Sequence, residues 1–281
     1  MSQGPIYRPQ GRAAEYSHLA LNTYSACANG CTYCYLRTRY KNPEAPIVRP
    51  YRGKILQMLP QQLKLLTRTK ERVLLCFSCD PYQGLEKQEL LTFQAIRMLH
   101  DAGIPFQVLT KCSLAERDFN FYGPDDAFAT TLTLLDERWK AFEPNASSPT
   151  ERLRLLIAAH EMGIETWVSL EPVLDSDESL RIIKETCDFV DLYKIGKLNH
   201  VAPPRPIDWR AFAIEAVELC EKLGKPYYLK DSLANLIPPA NLQNTDNRRS
   251  DWKLQYRQAI GAAPGFLGAE KPEDVIRRAR C

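Results

Sequence analysis

Short apolar runs recur along the chain, at Ala20–Tyr24, Val73–Ser78, Phe106–Lys111, Phe128–Leu134, Thr166–Glu171, Phe189–Gly196 and Tyr227–Leu229, and helical patterns lie between most of them. Strands separated by helices pair in parallel, through right-handed crossovers. Six or seven such units predict an α/β fold, a partial (β/α)6-type TIM barrel, and 281 residues are enough for a domain of roughly 200–250 residues with trimmings. In that architecture functional groups collect at the C-terminal ends of the strands and in the loops after them. The unusual residues lie there: Cys79-Asp80-Pro81-Tyr82 after the second run, Thr110-Lys111 after the third and Glu171-Pro172 after the fifth.

The helix signals support this rhythm. Glu86–Ala102 has the apolar spacing of one amphipathic helix and stops at Gly103. Ser148-Pro149-Thr150-Glu151 is a capping box with proline at the first helical position, and its helix runs to about Met162, before Gly163. A third helix is expected from about Trp209 to Leu223, before Gly224. In the Phe128–Leu134 strand, Ala129, Thr131 and Thr133 form a small polar face that suits a hollow barrel interior, and the opposite face suits helices. In Thr166–Glu171 the face with Trp167, Ser169 and Glu171 is the more polar, either inside the barrel or where a strand end meets water. Beyond about Pro238 the chain turns polar and ends in two short helical patterns, Trp252–Ile260 and Pro272–Arg280. This predicts a barrel domain over 1–237 and a helical C-terminal extension over 238–281, packed on the barrel.

Composition restricts the partners little. A net charge of +3, from 37 basic and 34 acidic residues, is too small to argue nucleic-acid binding by itself. No leader-like apolar segment opens the sequence and no run approaches the roughly 18 residues of a membrane span, so a cytoplasmic, membrane-free, monomeric protein is expected. Nine cysteines in a reducing compartment call for packing, ligation or reactivity rather than disulfides, and the odd number argues against complete pairing.

Three of those cysteines carry the chemistry. The first strand leads into Cys27-Ala28-Asn29-Gly30-Cys31-Thr32-Tyr33-Cys34, a C-x3-C-x2-C spacing with a glycine for the tight turn. Three thiolates on one short loop can grip three irons of a cubane [4Fe–4S] cluster and leave the fourth iron open. An open iron can bind the amino and carboxylate groups of S-adenosylmethionine. The reduced cluster then passes one electron to the sulfonium, giving methionine and a 5′-deoxyadenosyl radical that abstracts a hydrogen atom. Zinc is the competing reading, but it ordinarily takes four nitrogen or sulfur ligands, and no second cysteine arm lies near, with His18 the one close histidine.

The cysteine loop resembles that of the radical S-adenosylmethionine superfamily. Within it, Asn22-Thr23-Tyr24-Ser25, Asp80-Pro81-Tyr82-Gln83, Leu109-Thr110-Lys111, Leu135-Asp136-Glu137, Glu143-Pro144 and Ser148-Pro149-x-Glu151-Arg152-Leu153 look like the spore-photoproduct-lyase-like branch. The resemblance carries motifs over roughly residues 20–175. It implies that Ser78, Cys79 and Asp80 sit where the second strand meets the methionine amino group, and that Lys111 pairs with the methionine carboxylate. It also implies that Tyr33 packs near the adenine through its backbone or ring, and that Thr131 meets the ribose or carboxylate. Glu171 is a further cofactor candidate, and for both Thr131 and Glu171 ordinary barrel polarity competes. Cys79 departs from the branch pattern, where serine or threonine is expected before Asp-Pro-Tyr, and Phe77 rather than Cys79 aligns with the branch's hydrogen-donating cysteine. Cys79 and Tyr82 are the candidates for returning hydrogen to a product radical. Cys76, Cys112, Cys187 and Cys220 are assigned to packing.

The resemblance implies an enzyme acting on nucleic acid or a nucleobase, with flavodoxin or ferredoxin as the reductant. The clusters Arg248-Arg249 and Arg277-Arg278 add little to that. Radical modification of a peptide side chain, and a zinc-stabilised binding module without catalysis, are the alternatives.

Overall fold

The computed structural model describes residues 4–43, 45–66, 71–199 and 201–238. The expected extension over 238–281, with its two helical patterns, its arginine clusters and Cys281, falls outside them apart from Pro238. The described residues of 1–28 and 45–127 form one unit, and those of 29–44 and 128–253 form a second.

The first unit holds β1 (Ile6–Tyr7), β2 (Leu19–Leu21), α1 (Leu59–Leu66), β3 (Val73–Leu75), α2 (Glu86–Glu89), α3 (Leu91–Asp101) and β4 (Phe106–Thr110). Strand β2 pairs in parallel with β3 (Leu19 opposite Val73), and β3 with β4 (Val73 opposite Phe106). Every residue of β2 and β3 is buried, as expected for parallel strands covered on both faces. Strand β1 is antiparallel to β2 and was not anticipated, since two residues carry no readable period. Gln62 of α1 holds it in place: its amide donates to the Ile6 carbonyl and its oxygen accepts from the Ile6 N–H, both at 2.8 Å.

The helix expected over Glu86–Ala102 is broken at Leu90, which stands at φ 53° between α2 and α3. The apolar spacing continues across the break, with Leu91, Ala95, Ile96 and Leu99 buried. The second helix gains its own cap: the buried Glu86 carboxylate accepts from the N–H groups of Thr92 (2.9 Å) and Phe93 (3.1 Å). Free N–H groups at a helix start attract a carboxylate in this way.

The second unit holds β5 (Ala127–Thr131) from Phe128 onward, α4 (Trp139–Phe142), α5 (Pro149–Glu161), β6 (Glu165–Val173), α6 (Ser176–Thr186), β7 (Leu192–Lys197), α7 (Trp209–Lys222), β8 (Tyr227–Leu229) and α8 (Asp231–Ala234). Strands β6, β7 and β8 run parallel, with Ser169 opposite Lys194 and Lys194 opposite Tyr228. The capping box forms as expected: Ser148 Oγ accepts from the Glu151 N–H, and the Glu151 carboxylate accepts from the Ser148 N–H. Gly163 and Gly224 adopt positive φ after their helices, a conformation glycine takes without strain.

All of Ala127–Thr131 is buried, so both faces of β5 are covered. Trp167 and Ser169 are buried too, while Glu171, nearer the end of that strand, is half-buried. Of the cysteines assigned to packing, Cys76, Cys112 and Cys220 are buried. Cys187 is not: it is half-buried where α6 ends, and its thiol donates to the Lys184 carbonyl at 3.3 Å. Its place after the last helical turn, not its apolar character, sets that exposure.

Candidate active site

In the first unit the cysteine loop begins just beyond β2. Gln83, last residue of the Asp80-Pro81-Tyr82-Gln83 motif, brackets Cys27: its amide donates to the Ala26 carbonyl (2.9 Å) and its oxygen accepts from the Ala28 N–H (2.8 Å). Asp80 is the tie between two strand ends. One carboxylate oxygen accepts from the Tyr82 N–H (2.9 Å) and the Thr110 hydroxyl (2.6 Å), and the other from the Lys111 N–H (2.8 Å). Lys111 is therefore fixed through its backbone at the end of β4. The N–H groups of Phe77 and Ser78 both donate to Asn22 Oδ1, at 2.9 and 3.0 Å, which aligns the end of β3 with the end of β2.

Cys79 lies buried here, its thiol hydrogen-bonded to that of Cys76 and close enough to Cys27 to feel its charge. Burial first, then Cys76 and Cys27, push it well above the ordinary thiol range, so it is held protonated. Tyr82 is buried and its phenol donates to Asp118 at 2.8 Å, while Arg117 lies 5.7 Å from its ring centroid. Arg117 also bridges to Glu86 (2.8 Å) and Asp118 (2.6 Å), and Tyr24 donates to Glu86. Tyr82 thus belongs to a buried polar network under the site.

In the second unit the remainder of the loop is clamped by the turn after α4. The Thr32 N–H donates to the Phe142 carbonyl (2.9 Å), and the Asn145 N–H donates to the Asn29 carbonyl (3.2 Å). Gly30, at φ 68°, turns the chain where a side chain would meet Asn145 and Pro144 at 3.3–3.4 Å. The phenol of Tyr33 donates to the buried Glu143, which Thr133 (3.2 Å) and Arg152 also engage. Arg152 completes the clamp by donating to the Ser147 and Thr131 carbonyls, each at 2.8 Å. Cys31 is buried and Cys34 half-buried, packed with Tyr33, Trp139, Leu174 and Leu198.

Thr131 is held by its carbonyl on Arg152. Glu171, on β6, accepts from Lys230 Nζ at 2.7 Å, and its side chain fills the space left by Gly196, where a Cβ would lie 2.7 Å from the carboxyl carbon. Beside it Lys194 is buried, its ammonium 3.9 Å from the centroid of the Trp167 ring.

The donor chemistry fits an iron–sulfur cluster: three thiols outside any disulfide on one loop, whose peptide groups are fixed by Gln83 in one unit and by the 142–145 turn in the other. Among the described residues no three His, Cys, Asp or Glu side chains are gathered as ligands around a point. Thiols attract one another only weakly, and cluster ligands converge through bonds to the irons they hold. Sequence reasoning missed Gln83, Glu143 and Arg152 as supports of the loop. A signal for Arg152 exists: it shares the spacing of Leu155, Leu156 and Ala159, the buried face of α5.

A profile described as the Radical SAM superfamily matches residues 21–190. An uncharacterized protein of Mycobacterium tuberculosis is 28% identical over 178 residues, which are 57% of this chain and 52% of that protein. One of Methanocaldococcus jannaschii is 26% identical over 188 residues, 64% of this chain and 70% of that protein. The chain thus spans about half the length of the mycobacterial relatives it matches. Among solved structures, a spore photoproduct lyase mutant superposes with a TM-score of 0.62 at 13% identity, over 76% of each chain. Another, with bound AdoMet and dinucleoside spore photoproduct, gives 0.54 at 16%, over 74% of this chain and 61% of that one. Streptococcus suis SuiB bound to S-adenosylmethionine gives 0.59 at 10%, over 78% and 52%. At these identities the likeness is one of fold, the α/β partial barrel.

Proposed function

This chain belongs to the radical S-adenosylmethionine superfamily, and from that premise we propose that it is a radical SAM enzyme in which Cys27, Cys31 and Cys34 hold a [4Fe–4S] cluster serving radical chemistry on a nucleobase in nucleic acid. When bound and reduced, such a cluster supplies one electron to the sulfonium of S-adenosylmethionine, releasing methionine and a 5′-deoxyadenosyl radical that takes a hydrogen atom from the substrate.

The observation that carries this reading is the double clamp on the cysteine loop. Gln83 fixes the peptides on either side of Cys27, and the Glu143–Arg152 pair fixes Tyr33 between Cys31 and Cys34. Peptide groups held in advance reduce the entropy the loop loses on loading. The apolar packing around Cys31 and Cys34 keeps water from that side.

For the cofactor, Lys111 offers an ammonium to the methionine carboxylate, and Ser78 and Asp80 order the strand end that meets the amino group. Tyr33 contributes through its main chain, since its phenol is committed to Glu143. Thr131 and Glu171 face the nucleoside. Cys79, kept as a thiol, would return a hydrogen atom to the product radical and carry the unpaired electron as a thiyl radical, and Tyr82, leaving a tyrosyl radical, is the second candidate for that role. Flavodoxin or ferredoxin supplies the electron. The nucleobase substrate is supported by the branch motifs and by the likeness to spore photoproduct lyase.

Anaerobic reconstitution with iron and sulfide tests the cluster. About four irons per chain and a dithionite-reduced electron-paramagnetic signal are expected, both lost in Cys27→Ala, Cys31→Ala or Cys34→Ala. Tight zinc with no iron uptake overturns it. Full product formation by Cys79→Ala removes Cys79 from the scheme.

A further inference from the structure

Charge is unevenly distributed along this chain. Between Tyr16 and Lys70 there are nine lysines and arginines and a single acidic residue, Glu44, while the rest of the sequence is net acidic. The cysteine loop lies inside that basic stretch, and tyrosines are interleaved with the charges on its C-terminal side.

In the second unit, Tyr35–Arg39 forms a short 3-10 helix directly after Cys34, tied back to it by the Arg37 N–H on the Cys34 carbonyl (3.0 Å). Leu36 is buried, which turns Tyr35 outward, 41% exposed. The guanidinium of Arg39 stands 5.8 Å from the centroid of that ring. In the first unit, residues 49–51 are laid along residues 23–25, just before Cys27. The Ser25 N–H donates to the Arg49 carbonyl (3.0 Å), the Arg49 N–H to Ser25 Oγ (2.9 Å), and the Tyr51 N–H to the Thr23 carbonyl (3.0 Å). Lys54 lies 4.2 Å from the Tyr51 ring centroid. Arg52 is occupied by Glu89 at 2.5 Å.

A tyrosine ring paired with a cation therefore occurs in each unit, and in the second it directly follows Cys34. A solvated basic face needs no aromatic rings. Rings that present a π-face beside a cation are what stack a base while neighbouring charges neutralise phosphates. We infer that the segment after Cys34, residues 35–41, is a contact surface for single-stranded nucleic acid, with Arg37, Arg39 and Lys41 meeting phosphates and Tyr35 offering a stacking platform. The inference rests on the nucleic-acid reading above and gives it a surface.

The test is fluorescence anisotropy of labelled oligothymidylate and oligouridylate with the anaerobically reconstituted protein across a salt series, with poly-glutamate as competitor. Wild type is expected to bind with a salt dependence set by its phosphate contacts. The R37A/R39A double variant should lower the log–log salt slope by about 1.4, two contacts at about 0.7 each on a single strand. Tyr35→Ala should weaken binding about fivefold or more at fixed salt and leave the slope unchanged. K184A/K222A, on α6 and α7, should bind as wild type, and equal iron content across the set certifies folding. Oligonucleotide binding that survives R37A/R39A and Tyr35→Ala with slope and affinity intact overturns the surface and leaves the substrate class standing. A wild-type protein that binds no oligonucleotide overturns both. Competition by poly-glutamate as strong as by unlabelled oligonucleotide overturns the choice of nucleic acid in favour of an acidic peptide.

Discussion

Arg152 is the residue on which the second half of the cysteine loop depends. It is 1% exposed, engages two backbone carbonyls and pairs with the fully buried Glu143, which in turn receives the Tyr33 phenol. Breaking a buried ion pair from one side leaves a carboxylate without its counter-charge, at a cost of about 3–5 kcal/mol. Arg152→Met should lose about that much stability in urea and retain less iron after reconstitution, with part of the loss recovered in the Glu143→Gln, Arg152→Met double variant. Glu71 makes a different prediction. Burial raises its carboxyl to about 7, against the lowering effect of Arg8. The folded state then binds a proton that the unfolded chain has already lost. Stability from this group is therefore present at low pH and declines as pH rises from the ordinary carboxylate range through about 7. Urea midpoints at pH 5 and pH 8 should show that decline, and Glu71→Gln should flatten it. The motif holding Glu143 and Arg152 is legible in the sequence, but its task is not, because the partners are a tyrosine more than a hundred residues earlier and two carbonyls.

At the scale of elements, the parallel strands were legible because buried strands are short continuous apolar runs. All seven expected runs contain or overlap a strand of the structure. The two-residue β1 and the break at Leu90 were not legible. One is too short to show a period, and the other depends on Glu86 folding back to cap α3. The capping box of α5 was readable because its partners lie three residues apart. Ser148→Ala removes the side-chain acceptor for the Glu151 N–H and should cost about 1 kcal/mol, visible as a shift in the urea midpoint. The loss should be smaller than that of Arg152→Met, since the capping hydroxyl is exposed and the ion pair is not.

For the molecule as a whole, the family was legible in the cysteine spacing, because the three cysteines lie within eight residues of one another. The supports of the loop were not, because they are long-range. No helix among the described residues is long and apolar enough to cross a membrane. The net charge of +3 conceals a basic fifth around the cysteines and an acidic remainder, so a whole-chain sum misses what a windowed one reveals. The account stands on radical cleavage of S-adenosylmethionine at Cys27, Cys31 and Cys34. The direct measurement is chromatographic assay of 5′-deoxyadenosine from the anaerobically reconstituted protein with S-adenosylmethionine and dithionite. Formation of 5′-deoxyadenosine by wild type, and none above background by Cys31→Ala, is the predicted result. A protein that carries its full cluster and yields no 5′-deoxyadenosine, with or without oligonucleotide, would contradict it.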